Sequence, residues 1–317
     1  MRNYISFIAI SSFFVCGFFN PAHGGSWDQW YTGSLLSPSG ALFHKGDIAI
    51  EPYFSIQLSS VYFDNTGGRQ NAGSHSQRIL NNTLYKYAIT DNLSIQTIPE
   101  IALRQSDGTH RHTGLSLGDM PVDAVLRFLD IRHGILHPAF NLFMGVGFPT
   151  GQYDRLRSAS FATGSGTYVA RFALTEQSAY RLTARHELRI RMWLNLRQPL
   201  DRVRTNDLSS YGSQSSHVIV GMTAEAGVSG ELALTRQFVL AFDIARDFSA
   251  SSVVCADTTD FQNPARRLPP SVSWNIAPAI EYNWSSRFGI IMGFSATVAG
   301  RNAAATMVPQ FAFNAFF

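Results

Sequence analysis

The chain has 317 residues; 15% are charged, 45% hydrophobic and 13% aromatic, and the formal net charge is +3. Ordinary soluble domains carry about 25% charged residues, so charge is scarce, yet no internal apolar run reaches the roughly 18 residues of a membrane helix. The apolar and aromatic content excludes a disordered chain, and the net charge is too small for a dedicated nucleic-acid binder.

Residues 1–24 read as a secretory signal: Arg2 supplies the positive end, Ile5 to Phe19 the apolar core, and Ala22 and Gly24 a small-residue cleavage site. Removal of this stretch takes Cys16 with it and leaves Cys255 alone, so no internal disulfide forms. Residues 25–46 hold Trp27, Trp30, Tyr31, Leu35, Leu36, Leu42 and Phe43 around Pro38-Ser39-Gly40, without alternation. Such an apolar segment is expected to plug a lumen from below or to pack at its periplasmic rim.

From residue 47 to 317 the apolar residues recur at period two, the signature of strands with one apolar face. The predicted strands are 47–63, 78–89, 93–104, 117–129, 137–148, 167–176, 186–197, 216–233, 238–248, 271–283, 288–298 and a terminal one ending at Phe317. Short turns follow the even-numbered strands. Longer polar stretches follow the odd ones, at 64–77, 105–116, 149–166, 198–215 and 249–270, with a short 299–304. Short turns at one end and long loops at the other define an all-β, transmembrane, antiparallel up-and-down β-barrel of about 12 strands, with 10 or 14 as alternatives. Pro52, Pro99, Pro278 and Pro309 fall inside predicted strands, where each removes a ladder donor. The tail alternates Phe311, Phe313, Ala315 and Phe317, like the terminal strand that the barrel-insertion machinery of the bacterial outer membrane takes as its signal.

The opposite face of these strands is polar and is expected to line the lumen. It carries Glu51, Glu100, Arg104, Asp119, Asp123, Arg127, Arg171, Glu187, Arg189, Arg191, Arg197, Glu225, Asp243 and Glu281. Buried in an apolar core such groups would cost several kcal/mol each unless paired. They read either as a charged wall on a solute path or as a salt-bridge network closing a narrow barrel. Arginine suits bidentate pairing with carboxylates and phosphates. Arg155, Arg157, Arg202 and Arg204 lie in the predicted extracellular loops, where they meet either solvent or lipopolysaccharide phosphates.

The run from Trp30 to Gly40, with Lys45-Gly46 and Ile50-Glu51-Pro52-Tyr53, resembles the opening of the phenol-degradation meta-pathway family of outer-membrane proteins. Tyr87 to Leu93 resembles that family's first periplasmic turn, and Leu117-Gly118-Asp119 and Gly147 to Gly151 its internal signatures. The resemblance implies a transporter-like barrel and carries over no catalytic residue.

Chemistry of other kinds is poorly represented. His75 lies in a predicted loop; His110 and His112 have the spacing of a metal pair but no third ligand nearby; His186 and Glu187 point to opposite faces of a strand. No phosphate-binding loop or dinucleotide fingerprint occurs. The sequence therefore predicts a non-enzymatic outer-membrane barrel passing small, aromatic or apolar solutes, without metal or cofactor. Its partners are expected to be outer-membrane lipid and lipopolysaccharide. The alternatives are a closed structural or interaction barrel acting through its loops and, third, an outer-membrane hydrolase.

Overall fold

The computed structural model describes residues 29–317 except 43, 107–110, 113–114, 132–137, 157–160, 184, 207–208, 210, 212–216 and 256–265; for 73–74, 104–106 and 111–112 it describes the backbone only. The expected signal segment, with Arg157, His110 and the side chains of Arg104 and His112, lies outside these.

Twelve antiparallel strands close into a barrel. They are β1 (Ile48–Phe63), β2 (Arg69–Ala88), β3 (Leu93–Thr97, resuming as Glu100–Ser106), β4 (Met120–Asp130), β5 (Ala139–Phe148) and β6 (Val169–Arg181). The second half comprises β7 (Glu187–Pro199), β8 (Thr223–Ala233), β9 (Phe238–Ser249), β10 (Ser271–Asn283), β11 (Phe288–Arg301) and β12 (Ala303–Phe316). Each strand pairs with its sequence neighbours, and β1 pairs with both β2 and β12, so no edge remains. Closure runs to the last residue: the Ile48 and Phe317 amides each donate to the other's carbonyl.

Alternation sets which face is wet. Along β9, Phe238, Leu240, Phe242 and Ile244 are exposed outward while Val239, Ala241, Asp243 and Ala245 are buried inward. Phe54, Leu126, Met144, Phe172, Met192, Ile280 and Met292 continue the outward apolar belt around the barrel. Aromatics gather near the periplasmic turns, where Tyr282 lies 4.9 Å from Phe238 and 6.3 Å from Trp284, the girdle position in transmembrane barrels.

Four periplasmic turns share one local device. In each, a single hydroxyl accepts from the backbone amides two and three residues later: Thr90, Thr183, Thr235 and Ser285. This side-chain turn fixes the chain reversal without a glycine. At the other end, Asn302 alone joins β11 to β12 in a left-handed conformation, φ 49°. Its amide donates to the backbone carbonyl of Asp64 at 3.1 Å, which ties two hairpin tips together. The Asp64 carboxylate accepts from the Thr66 hydroxyl, Gln70 and the Gly68 and Thr66 amides, which hold it well below the usual carboxylate range.

Two expectations change. Residues 64–77 are not a long loop: β2 begins at Arg69 after a tight turn, and the polar composition of its upper part concealed a strand. The predicted strand 216–233 is two elements. His217–Ile219 leaves the barrel to join Val203–Arg204, Ser252–Cys255 and Arg266–Leu268 in a separate four-stranded sheet built from two loops, and β8 starts only at Thr223. The prolines are accommodated as their chemistry requires. The β1–β12 register passes from Ile50↔Ala315 to Tyr53↔Ala312, skipping Pro52, and the β10–β11 register skips Pro278. Pro99 breaks β3, and Pro309 falls in another gap of the β1–β12 ladder.

The lipid-facing assignment predicts that Phe242→Arg, at mid-strand on the outer face, destabilises the folded barrel by about 2–4 kcal/mol. Denaturant titration in lipid vesicles measures this. An unchanged midpoint would place Phe242 outside the hydrocarbon.

Candidate functional site

Residues 29–42 run through the barrel interior with no helix or strand. We call this segment the strap. A buried irregular backbone leaves its amides and carbonyls unpaired unless side chains reach them, and here wall residues do so. Glu281 Oε2 accepts from the Thr32 amide at 2.6 Å and from the Gly33 amide at 3.4 Å. Asp243 Oδ2 accepts from the Leu36 amide at 2.8 Å, Asn141 Oδ1 from Ala41 at 3.0 Å, and Ser94 Oγ from Leu42 at 3.0 Å.

The carbonyls are met from the opposite charge. Lys86 Nζ donates to the Ser39 and Gly40 carbonyls at 2.8 and 2.7 Å and to Ser39 Oγ at 2.9 Å. Arg127 donates to the Leu42 carbonyl at 3.3 Å, and Arg191 to Ser37 Oγ at 2.6 Å. Tyr31 stacks under the Arg189 guanidinium at 3.8 Å and donates its hydroxyl to Glu187 at 3.0 Å. Leu35 packs with Ala241, Ala277, Ala279, Ile291 and Ala312, so small wall residues make room for the strap.

Among the sequence-predicted lumen residues, Glu51, Arg127, Glu187, Arg189, Arg191, Asp243 and Glu281 surround the strap. Arg189 pairs with Glu231. Higher in the barrel, Asp123 takes Arg171 through both carboxylate oxygens, at 2.8 and 3.2 Å, and Glu100 pairs with Arg78. Asp119 lies just before β4 and receives the Gly151 amide and the Ser165 amide and hydroxyl, which anchors the 149–168 loop. Arg104 is opposite Arg78 in the β2–β3 register. Arg197 and Glu225 line the upper lumen. Lys86, Arg78 and Glu231 also face the lumen and escaped the sequence reading. The parity of Tyr85, Tyr87 and Ile89 would have turned Lys86 inward, and Glu231 shares the parity of Glu225.

The strap separates two cavities. The upper one, about 230 Å³, has Leu35, Leu36, Pro38, Tyr53, Leu84 and Phe143 on its apolar side and Asp123, Arg171, Asn195, Arg197 and Glu225 on its polar side. The lower one, about 530 Å³, faces the periplasmic turns and includes Lys86, Arg127, Arg189, Arg191 and Arg287 against Asp47 and Glu51. Ser39 and Glu51 line both. A third cavity of about 400 Å³ lies toward the loops and shares Asn195, Arg197 and Glu225 with the upper one. Trp193 stabilises that junction: its indole nitrogen donates to Glu225 at 2.7 Å, and its ring covers Gly227 so closely that a Cβ there would come within 2.2 Å.

Residues raised for catalysis do not assemble. His186 Nδ1 lies 2.8 Å from Thr183 Oγ1 in a periplasmic turn, while Glu187 faces Tyr31. His75 is exposed on β2. No group of three metal-ligating side chains occurs among the described residues.

The fold is similar to that of the COG4313 outer membrane channel from Pseudomonas putida F1, with a TM-score of 0.67 at 14% identity over 89% of this chain and 100% of that one. At this identity the likeness bears on the architecture alone, a closed antiparallel β-barrel. The transport unit of the Escherichia coli autotransporter AIDA-I (TM-score 0.47, 10% identity, 86% and 90% of the two chains) is more distant. So is the Ralstonia pickettii toluene transporter TbuX (0.37, 9%, 86% and 90%). No protein-family profile matches the chain, and no curated protein does.

The strap's dependence on wall charges predicts that Lys86→Met, which orphans two carbonyls, lowers stability by about 1.5–3 kcal/mol, while Lys86→Arg retains most of it. Urea unfolding of the detergent-solubilised barrel followed by tryptophan fluorescence reads the difference. Equal midpoints for the methionine variant and the parent would contradict the assigned contacts.

Proposed function

We propose that this chain is a passive channel of the bacterial outer membrane for small, aromatic or apolar solutes, with the strap as its constriction. The observation that carries the reading is the stack of cavities along the lumen, with Ser39 of the strap and Glu51 of the wall lining both the upper and the lower one. Similarity of fold to an outer membrane channel supports it, as does the resemblance of the strap sequence to the phenol-degradation meta-pathway family. Passage needs no cofactor and no energy input: solute would move down its gradient through a lumen whose charged side chains set selectivity. Asp123, Arg171, Arg197 and Glu225 would meet the solute above the strap. Glu51, Arg189 and Arg191 would meet it below. In the membrane, lipopolysaccharide phosphates would contact loop arginines such as Arg155, Arg202 and Arg204, and the insertion machinery would read the strand ending at Phe317.

A second reading, a closed barrel acting through its loops, is favoured by one feature. The strap is held by both acidic and basic wall residues along its length, and dense hydrogen bonding of that kind would resist displacement.

Planar-bilayer recording separates the two. The purified protein is expected to give a small, steady conductance, and Glu281→Ala combined with Asp243→Ala, which frees three strap amides, is expected to raise it severalfold. Absence of conductance in both proteins, with no leakage of small aromatic solutes from liposomes, would end the channel reading in favour of the closed barrel.

A further inference from the structure

Around the lumen above the strap, charged side chains fall in two like-charged cross-strand pairs. Arg171 is opposite Arg197 in the β6–β7 register, and Glu225 is opposite Asp247 in the β8–β9 register. Like charges directly opposite are unfavourable, so each pair needs compensation. Arg171 has it from Asp123. Arg197 makes no hydrogen bond or ion pair among the described residues, although it lines both upper cavities. Glu225 is held through Oε1 alone, by Trp193 and Asn195, and Asp247 through Oδ2 alone, by Ser273 and Asn275. One guanidinium and two carboxylate oxygens therefore face a common cavity of about 400 Å³ without closing into ion pairs. Their neutral partners keep the carboxylates from folding onto Arg197.

A cation alone would answer the acidic pair and leave Arg197 unmet; an anion alone would do the reverse. A ligand with an ammonium and a carboxylate on the same carbon satisfies all three groups. Below them one side of the lumen is apolar, with Tyr53, Leu84 and Phe143 near the strap leucines. We propose that this junction is a binding site for an apolar α-amino acid. Its carboxylate would lie on Arg197, its ammonium group between Glu225 and Asp247, and its side chain would point down toward Leu35 and Leu36.

The site rests on the reading of the lumen as a solute path, but its occupancy can be tested without transport. Titration calorimetry of the detergent-purified full chain would compare phenylalanine with 3-phenylpropionate and phenethylamine, which share the ring and lack one charge each. Phenylalanine is expected to bind about tenfold or more tightly than either, the scale of one lost charged hydrogen bond. Arg197→Gln should abolish the advantage over phenethylamine, and Arg197→Lys should restore part of it. Glu225→Gln with Asp247→Asn should abolish the advantage over 3-phenylpropionate. Unchanged heat-dependent gel mobility would establish that each variant is folded. Equal or tighter binding of either single-charge analogue, or no binding of phenylalanine, would overturn the proposal. Phenylalanine binding by a protein that conducts nothing would uphold the site and defeat the channel.

Discussion

An irregular stretch of backbone inside a closed barrel has to find hydrogen-bond partners on the wall, because it has no ladder of its own. Residues 29–42 impose that requirement here, and much of the lumen chemistry follows from it. Glu281 and Asp243, on β10 and β9, accept strap amides, while Lys86 and Arg127, on β2 and β4, donate to strap carbonyls. Acidic acceptors on β9 and β10 and basic donors on β2 and β4 thus meet complementary groups of the strap backbone. Charges this deeply buried are costly, and the backbone groups they satisfy, together with pairs such as Arg189–Glu231, offset that cost.

Along the barrel axis the same residue types serve two purposes. Near the periplasmic turns they are committed to the strap. Nearer the loops, some are committed to each other, as in Arg171–Asp123, and some are left with free donors or acceptors, as in Arg197, Glu225 and Asp247. Commitment is therefore what distinguishes structural charge from charge available to a solute. The four-stranded sheet formed by two long loops adds a further layer at the loop end of the molecule.

Much of the barrel was legible in the sequence, since period-two alternation marks a strand whenever one face meets lipid and the other does not. The outward rows of β9 and β11 read directly. Legibility failed where that contrast disappears. The upper part of β2 is polar on both faces, so residues 69–77 looked like loop. His217–Ile219 alternates like barrel strand but belongs to the loop sheet, because period two reports a strand and not which sheet it joins. Lys86 was obscured by Leu80 and Leu84 on its own face; Leu84 in turn packs inward beside the strap. The strap contacts were beyond reach for a different reason. They join residues about 50 to 280 positions apart through single hydrogen bonds and leave no local pattern. The shared turn device at Thr90, Thr183, Thr235 and Ser285 was visible in principle, as a hydroxyl residue three positions before the first residue of a strand or the one preceding it.

The most direct test of the account is amide hydrogen exchange of the strap in the folded, detergent-solubilised protein, resolved by mass spectrometry of peptides spanning residues 29–42. The account predicts protection of the Thr32, Leu36, Ala41 and Leu42 amides approaching that of the barrel strands. Exchange as fast as that of the exposed 64–68 turn would show that the wall does not hold the strap, and the assignment of the lower lumen charges would fail with it.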